Sequence, residues 1–500
     1  MISPKSNIVI GTKPQNRIIA YFATNDMKKG EKLDNLYIET MAAEGKCVAK
    51  TGGLVVFVTG GAPGDTVEAV VTRSKKNFLE AAVTNIVKAS PVREVPFCEH
   101  FGLCGGCTWQ HISYSTQLQY KQLQVKDNLE RIGGLPLPAV NPIRGSAHVK
   151  AYRNKLDFTF THGRWLTRNE LQSGATKTPG LGFHIPRMFD KVFDVNHCHL
   201  QPEPSNAIRL AVKQRALECN IPFFDLRAQA GFLRNLTIRT ANTGEVMVIL
   251  QVTAEKMEWI NDLLQCIVEQ FPQVSSVQYV VNNKRNDTFH DLEVKTWRGN
   301  SYITERMPLA TGEGNLLFRI GPKSFYQTNS AQAHVLYQVV WRMAKLTGKE
   351  LVYDLYTGTG TIASFVAAHA GKVIGLEYVE EAVTDAKTNS LINNITNTEF
   401  FAGDIKELLN ETFLQQHGHP DVVITDPPRA GMHEEVCRMI LKAGPQRIVY
   451  VSCNPATQAR DVKILSEKYT IEEIQPVDMF PHTMHVENVV GLVRMPNRGG

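Results

Sequence analysis

No run of the 500-residue chain approaches the roughly 18 to 20 consecutive apolar residues that a membrane-spanning helix needs, and no membrane partner is expected. The first thirty residues carry Lys5, Lys13, Arg17, Lys28 and Lys29, but no long apolar core or small-residue cleavage site follows them, so no secretory leader is read and the cytoplasm is the expected location. Nine cysteines are far too few for a disulfide scaffold, and an odd number in a cytosolic chain points to free thiols or metal ligands. A net charge of +5 on 55.8 kDa is too small to argue for nucleic acid by itself. The chain has neither a low-complexity tract nor an internal repeat.

What is present is an ordinary globular composition, 43% apolar and 21% charged, on a chain long enough for two or three domains. Residues 1–30 show no clear period and read as a basic extension. From 31 to 92, short β-like runs are broken by glycine and proline turns, as in Leu54-Val55-Val56-Phe57-Val58 before Gly60-Gly61-Ala62-Pro63-Gly64-Asp65. That spacing predicts a small antiparallel barrel, left basic by Arg73, Lys75, Lys76 and Lys88. Residues 93–320 mix a cysteine cluster, helical stretches at 115–131 and 205–218, and strands at 235–240, 246–252 and 277–282, which suggests an α+β domain. Arg144, Lys150, Arg153, Lys155, Arg164 and Arg168 face a single acid, Asp157, with Tyr152, Phe158, Phe160 and Trp165 interleaved. Phosphate contacts and base stacking call for that mixture, although a solvated strand face with its aromatics in the core would look the same.

The last part, 321–500, becomes strand, glycine turn, helix, strand, helix, strand. Apolar strands at 351–355, 372–376, 422–425 and 447–451 predict an α/β domain with a parallel, doubly wound sheet whose ligand sits at the strand C-termini. In Asp354-Leu355-Tyr356-Thr357-Gly358-Thr359-Gly360-Thr361 the glycines follow a strand and open a helix. This is not the three-glycine dinucleotide fingerprint, and no Walker lysine follows. Glu377 stands 23 residues after Asp354 (377 − 354) at the end of the next strand, where a carboxylate accepts both ribose hydroxyl protons. Asp404 falls where an acid takes the adenine amino group. In register on consecutive strands, these acids favour S-adenosylmethionine over a nicotinamide cofactor.

Cys453 lies where an apolar strand turns into Asn454-Pro455. Carbon-5 of uracil is a poor nucleophile until a thiolate adds to carbon-6 and makes an enolate; a base must then remove the carbon-5 proton. Cys453 fits the nucleophile, Glu487 the base, and Asp426 the sulfonium or base edge. A buried structural cysteine is the bland alternative.

The motifs Phe325-Tyr326-Gln327-Thr328-Asn329, 354–361, 426–431, Val451-Ser452-Cys453-Asn454-Pro455-Ala456-Thr457 and Phe480-Pro481-His482-Thr483-Met484-His485-Val486-Glu487 together resemble those of the uracil-5 RNA methyltransferases, and the resemblance covers nearly the whole chain. It implies a Rossmann-like class I methyltransferase domain with Cys453 as nucleophile, Glu487 as general base, and Gln327, Tyr356, Glu377 and Asp426 as adenosylmethionine contacts. Thr361, where some relatives carry Asn, and Asp404 are counted with those contacts. The barrel resembles the TRAM domain, an OB-like RNA-binding module. Cys98, Cys104 and Cys107 with the distant Cys198 suit an iron–sulfur cluster better than the compact pairs of structural zinc. The ribosomal-RNA branch of the family carries a 4Fe-4S cluster in this arrangement, so the resemblance favours 23S rRNA as substrate and a central α+β iron–sulfur domain. Zinc at the cysteines and tRNA as substrate are the alternatives, and a monomer is expected. An amino-group methyltransferase, which would not need Cys453, a cytosine-5 methylase and a catalytically silent RNA-binding factor are the competing functions.

Overall fold

The computed structural model describes residues 27–42 and 45–496, so nearly all of the expected 1–30 extension lies outside the described residues. The chain divides into two compact units, Met1–Ala42 with Lys46–Val92, and Ala43–Gly45 with Arg93–Gly500.

In the first unit, β1 (Lys32–Met41), β2 (Cys47–Thr51), β3 (Leu54–Thr59), β4 (Thr66–Lys75) and β5 (Phe78–Lys88) close a barrel in the order β1-β2-β3-β5-β4. Period-two patterning builds it: Val67, Ala69 and Val71 of β4 are buried, with Ile38, Ala49, Val56, Val58 and Leu79 beside them. Pairing of β1 with β4 leaves no open edge. One feature departs from the expected antiparallel barrel: β3 and β5 run parallel. A parallel pair needs a crossover rather than a tight turn, and β4 is that crossover. The buried Asp65 sets the turn into β4, accepting from Ala62 N at 2.6 Å and Ser90 N at 2.8 Å.

The second unit contains two seven-stranded sheets. The first uses β6 (Lys155–Thr161), β7 (Gly180–Ile185), β8 (Met188–Asp194), β9 (Leu233–Thr240), β10 (Val246–Val252), β11 (Val274–Val281) and β12 (Val294–Gly299), in the order β12-β11-β10-β9-β6-β7-β8. Only β10 and β11 are parallel, and the helix Met257–Gln270 connects them. Phe158, Leu236, Ile238, Val248 and Leu250 pack against that helix and against Ser205–Glu218. Their alternates Met247, Ile249 and Val280 enter a core shared with the hairpin β13 (Ile303–Pro308) and β14 (Asn315–Ile320) and the helix Ser330–Ala344. Both faces of β10 are therefore covered, which is why all seven of its residues are buried.

The second sheet has β15 (Leu351–Leu355), β16 (Lys372–Glu377), β17 (Thr398–Ala402), β18 (Val422–Thr425), β19 (Arg447–Ser452), β20 (Tyr469–Val477) and β21 (Glu487–Arg494), in the order β17-β16-β15-β18-β19-β21-β20. The first five are parallel, and β21 runs antiparallel to both neighbours. Val352, Val373, Ile424 and Val449 face the helices Ser330–Ala344 and Thr361–Ala367. Tyr353, Ile374, Val423 and Ile448 face Glu434–Ala443 and Pro455–Leu465. The sheet is thus doubly wound, and strand order reverses at β15, with β16 on one side and β18 on the other, opening the crevice where such sheets bind ligands. Among the described residues no helix is long and apolar enough to cross a membrane.

Candidate active site

The crevice begins where β15 ends. Tyr356, Gly358 and Gly360 all take left-handed backbone, with φ of 63°, 57° and 73°, a conformation that disfavours side chains bearing a Cβ. A Cβ at Gly360 would stand 2.9 Å from that of Ala386, whereas one at Gly358 would meet nothing within 4 Å. The turn is closed on its protein side and open on the other. Glu377, ending β16, accepts from Gly358 N and Val379 N at 3.0 Å each, which fixes its carboxylate beside the turn. Gly403 N donates to the Glu377 carbonyl at 2.8 Å and brings Asp404 next to it; Asp404 caps the short helix Ile405–Leu408 by accepting from Lys406 N at 3.1 Å. Asp354 accepts from Thr357 Oγ1 at 2.5 Å through one oxygen, and its other oxygen is buried with no well-formed hydrogen bond among the described residues. Burial pushes its carboxyl up to about 7, with the Ala363 N–H opposing the rise. A buried carboxyl with spare acceptor capacity beside an open glycine turn fits a cationic ligand.

Gln327 is buried just before the helix Ser330–Ala344, its carbonyl accepting from Asn154 Nδ2 at 2.9 Å. The Thr361 hydroxyl is 2.9 Å from that of Tyr337, so this side chain already has a protein partner.

Cys453 immediately follows β19. Ser452 pairs with Asn488 across the antiparallel ladder, so one further step of register sets Cys453 opposite Glu487. Asn454 then caps the helix Pro455–Leu465, whose proline stands in the first turn, and the strand can go no further. Asn454 Nδ2 and Thr457 Oγ1 donate to the Arg429 carbonyl at 3.0 and 3.2 Å, tying this loop to 426–431. Gly431 is required there: at φ 78° its Cβ would lie 2.6 Å from Arg460 and Asp461. Burial pushes the Cys453 thiol up to about 11, with Glu487 and Asp426 adding to the rise and Arg429 opposing it. Burial, then Asp354, raises Asp426 to about 7. Burial, then Asp426, lifts Glu487 well above the usual carboxylate range. The site therefore gathers one thiol, two buried carboxyls (Asp354 and Glu487) and the half-buried Asp426, and positive charge entering it would be stabilised.

Arg429 lies within the 426–431 motif, which assigns it no role. Its Nη2 lies 3.1 Å from His485 Nδ1, and burial with Arg429 lowers that imidazole to about 4, so the ring is neutral and Nδ1 accepts. The signal was an arginine in a loop that otherwise supplies only acid and proline.

The expected cysteine quartet comes together. Cys98, Cys104, Cys107 and Cys198 line one cavity of about 340 Å³ with His100, His197 and His199, and all four are free thiols. Asn206 fixes Cys198, accepting from its N–H at 2.8 Å and donating to its carbonyl at 3.1 Å. Burial raises Cys104 to about 12 and Cys107 to about 11, and neighbouring cysteines add to both shifts. Four thiolates would persist here only against added positive charge. Among the described residues no three His, Cys, Asp or Glu side chains are arranged to chelate a single metal ion.

Comparison with known proteins matches this geometry to a family. The tRNA (Uracil-5-)-methyltransferase model matches residues 292–495 and the TRAM domain model residues 35–84. An uncharacterized RNA methyltransferase of Bacteroides thetaiotaomicron is 54% identical over 455 residues, covering 90% of this chain and 99% of that one. Its counterpart in Porphyromonas gingivalis is 52% identical over 466 residues, with 91% and 99% covered. The crystal structure of Pyrococcus abyssi tRNA (uracil-54, C5)-methyltransferase with S-adenosyl-L-homocysteine superposes with a TM-score of 0.69 at 30% identity, covering 91% of this chain and 99% of that one. With the glycine turn, the strand-end acids and the thiol already in place, these matches make the chain a member of the S-adenosylmethionine-dependent RNA uracil-5 methyltransferase family.

Proposed function

We propose that the protein methylates carbon-5 of one uridine in 23S rRNA through a covalent adduct with Cys453. The observation that carries the mechanism is that the β19–β21 ladder ends at Ser452–Asn488, so that Cys453 and Glu487 are the next residues on either side, with Glu487 near enough to raise the thiol. Adenosylmethionine supplies an electrophilic methyl group; Glu377, Asp404, Tyr356, Gln327, Thr361 and Asp426 are the residues proposed to hold it. Thr361 acts there through its backbone, since its hydroxyl is paired with Tyr337.

Cys453 starts as a thiol, so its proton must leave as the uracil arrives, and the Asp426 carboxylate is the available acceptor, which keeps Glu487 for the later step. Its sulfur then adds to carbon-6, and the enolate's carbon-5 takes the methyl group. Glu487, as the carboxylate, removes the carbon-5 proton; that electron pair restores the ring double bond and expels the Cys453 thiolate. RNA carrying 5-fluorouridine at the target should be trapped on the protein, and Glu487→Gln should accumulate the same adduct with unmodified RNA. Absence of a retarded band on denaturing gels in both cases would refute the mechanism.

The four cysteines are proposed to hold a 4Fe-4S cluster. A cubane's thiolates bind separate irons, whereas ligands of one zinc, at Zn–S of about 2.3 Å, must crowd within about 4 Å of one another. Four free thiols lining one cavity support the cluster reading. Protein purified without oxygen should be brown; one zinc and no iron per chain would reverse the assignment. The division into a barrel at 31–92, a central domain at 93–320 and a methyltransferase domain at 321–500 is proposed as a division of labour between RNA binding, bracing and chemistry, in a cytoplasmic monomer. Transfer RNA is the second reading, supported by the 30% identity to the Pyrococcus abyssi tRNA enzyme. Mapping 5-methyluridine in rRNA and tRNA of a strain lacking the gene separates the two: loss confined to tRNA would overturn the ribosomal assignment.

A further inference from the structure

Residues 478–486 join β20 to β21 and so deliver Glu487 to Cys453. Nothing about a nine-residue connection (486 − 478 + 1) requires it to be held residue by residue, yet its first five residues, 478–482, are. The Met479 carbonyl accepts from Asn329 Nδ2 at 3.0 Å, that of Phe480 from Lys121 Nζ at 3.0 Å, that of Pro481 from the Tyr152 hydroxyl at 3.1 Å, and that of His482 from Thr108 N and Trp109 N at 2.9 and 3.0 Å. His482 is left-handed at φ 64°. Its N–H donates to Gln117 Oε1 at 2.9 Å while Gln117 Nε2 lies 3.2 Å from its ring Nδ1. The loop is anchored at its first residue, Asp478, whose two oxygens accept from Lys121 Nζ at 2.6 Å and the Tyr114 hydroxyl at 2.8 Å. Both side chains of that ion pair are wholly buried.

A buried ion pair that merely fastened a helix to a sheet would need no hydrogen bonds to loop carbonyls. Here Lys121 and Gln117, one turn apart on the helix Tyr114–Asn128, both bond the backbone of the loop leading to Glu487, Lys121 donating to the Phe480 carbonyl and Gln117 Oε1 accepting from the His482 N–H. Such over-determination is what holds an unfavourable φ in place, and strained backbone of this kind clusters at functional sites. Thr108 and Trp109 directly follow Cys107, so the same clamp starts where the cysteine cavity ends.

We propose that Lys121 and Gln117, with the Thr108–Trp109 backbone, are positioning residues that set Glu487 for one step: removal of the carbon-5 proton and release of Cys453. This rests on the covalent mechanism above. In that step the C5–H bond breaks with its proton passing to the Glu487 carboxylate, its electrons form the C5–C6 double bond, and the C6–S bond breaks with the thiolate leaving. Adduct formation and methyl transfer come earlier and do not use Glu487 in this scheme, so they should be largely spared.

Two variants test it. Gln117→Leu removes hydrogen bonds without touching a charge, and Lys121→Met with Asp478→Leu removes both buried charges together, so neither leaves a lone ion in the core. Each should bind adenosylmethionine and RNA within about threefold of wild type and transfer the first methyl group at a similar rate, but release product about 10²-fold more slowly, as a misplacement near 1 Å implies. The methylated protein–RNA adduct should then appear on denaturing gels. Wild-type release, or equal slowing of every step without adduct, would overturn the proposal. Amide exchange in the wild-type protein supplies an arm independent of variant folding: Phe480 and His482 should be protected like β21, and exchange at open-loop rates beside a protected β21 would also overturn it. If Glu487→Gln accumulates adduct and these variants do not, the clamp fails alone; if Glu487→Gln accumulates none, the covalent mechanism fails first.

Discussion

The glycine turn and the cysteine cavity are both built to receive something, and they are built in opposite ways. The turn is made almost wholly of main chain within a few residues: left-handed Tyr356, Gly358 and Gly360, with the Glu377 carboxylate locked by two amides. The cavity is made of side chains from segments ninety-one residues apart (198 − 107), and burial outweighs the Arg153 and Arg209 guanidiniums that partly offset it at Cys107 and Cys198. A main-chain cradle is preorganised and loses its ligand without losing its shape. A thiol cage is held open by its contents. The first is therefore expected to tolerate the empty state, and the second to loosen in it.

The largest effect that tests this contrast falls on the thiol at the cradle's rim. Cys453→Ala should lower methylation by at least about 10⁴-fold, as loss of a covalent nucleophile does elsewhere, while adenosylmethionine binding measured by calorimetry stays intact. A variant retaining a tenth of wild-type transfer would return the amino-group methyltransferase reading. Next in size, Gly360→Val places a branched side chain at φ 73° against Ala386; a cost of about 1–3 kcal/mol in stability is expected, with adenosylmethionine affinity falling and iron content unchanged. Cys104→Ser should do the reverse. Iron should be lost and amides near 98–110 should exchange faster, yet adenosylmethionine affinity should change by less than about threefold, because the four cysteines of the cavity belong to neither core that packs the second sheet. If Gly360→Val loses iron, or Cys104→Ser loses the cofactor, the two sites are one cooperative unit and the contrast is wrong.

The same contrast explains what could be read in advance. The strands 351–355, 422–425 and 447–451 were legible because burial on both faces makes them continuous apolar runs, and the glycine turn because its whole signal is local. Strand Thr398–Ala402 escaped: at the sheet edge its pattern is mostly half-exposed, Phe400 alone being buried. The antiparallel turn at β21 escaped too, although it sets Glu487 opposite Cys453; Glu487 was placed by motif resemblance, not by any strand pattern. The parallel β3–β5 pair is a property of topology that alternating residues cannot encode. Lys121 and Gln117 were invisible for a similar reason. On a helix of weak amphipathic character they look like solvent-facing residues, and only the fold puts Asp478 and His482 against them.

The smallest expected effect concerns pH and separates cradle from charge. Asp354 and Asp426 are each raised to about 7, chiefly by burial. A carboxyl with a raised folded value stabilises the protein below its ordinary value near 3.8 and loses that contribution as pH climbs through about 7, where the folded state is forced to ionise. The ligand-free protein should therefore melt at a lower temperature at pH 8 than at pH 6. Ligand binding should show the opposite trend. Adenosylmethionine carries a positive sulfonium and should bind more tightly as these acids ionise, by up to about tenfold per pH unit for each proton released. S-adenosylhomocysteine shares every other group but has a neutral thioether, so its affinity should change less over the same range. The ratio of the two dissociation constants thus isolates the charge that the acids contribute from the shape that the glycine turn contributes. Parallel pH curves for the two ligands would mean that Asp354 and Asp426 do not meet the sulfonium, and that the cradle selects its cofactor by shape alone.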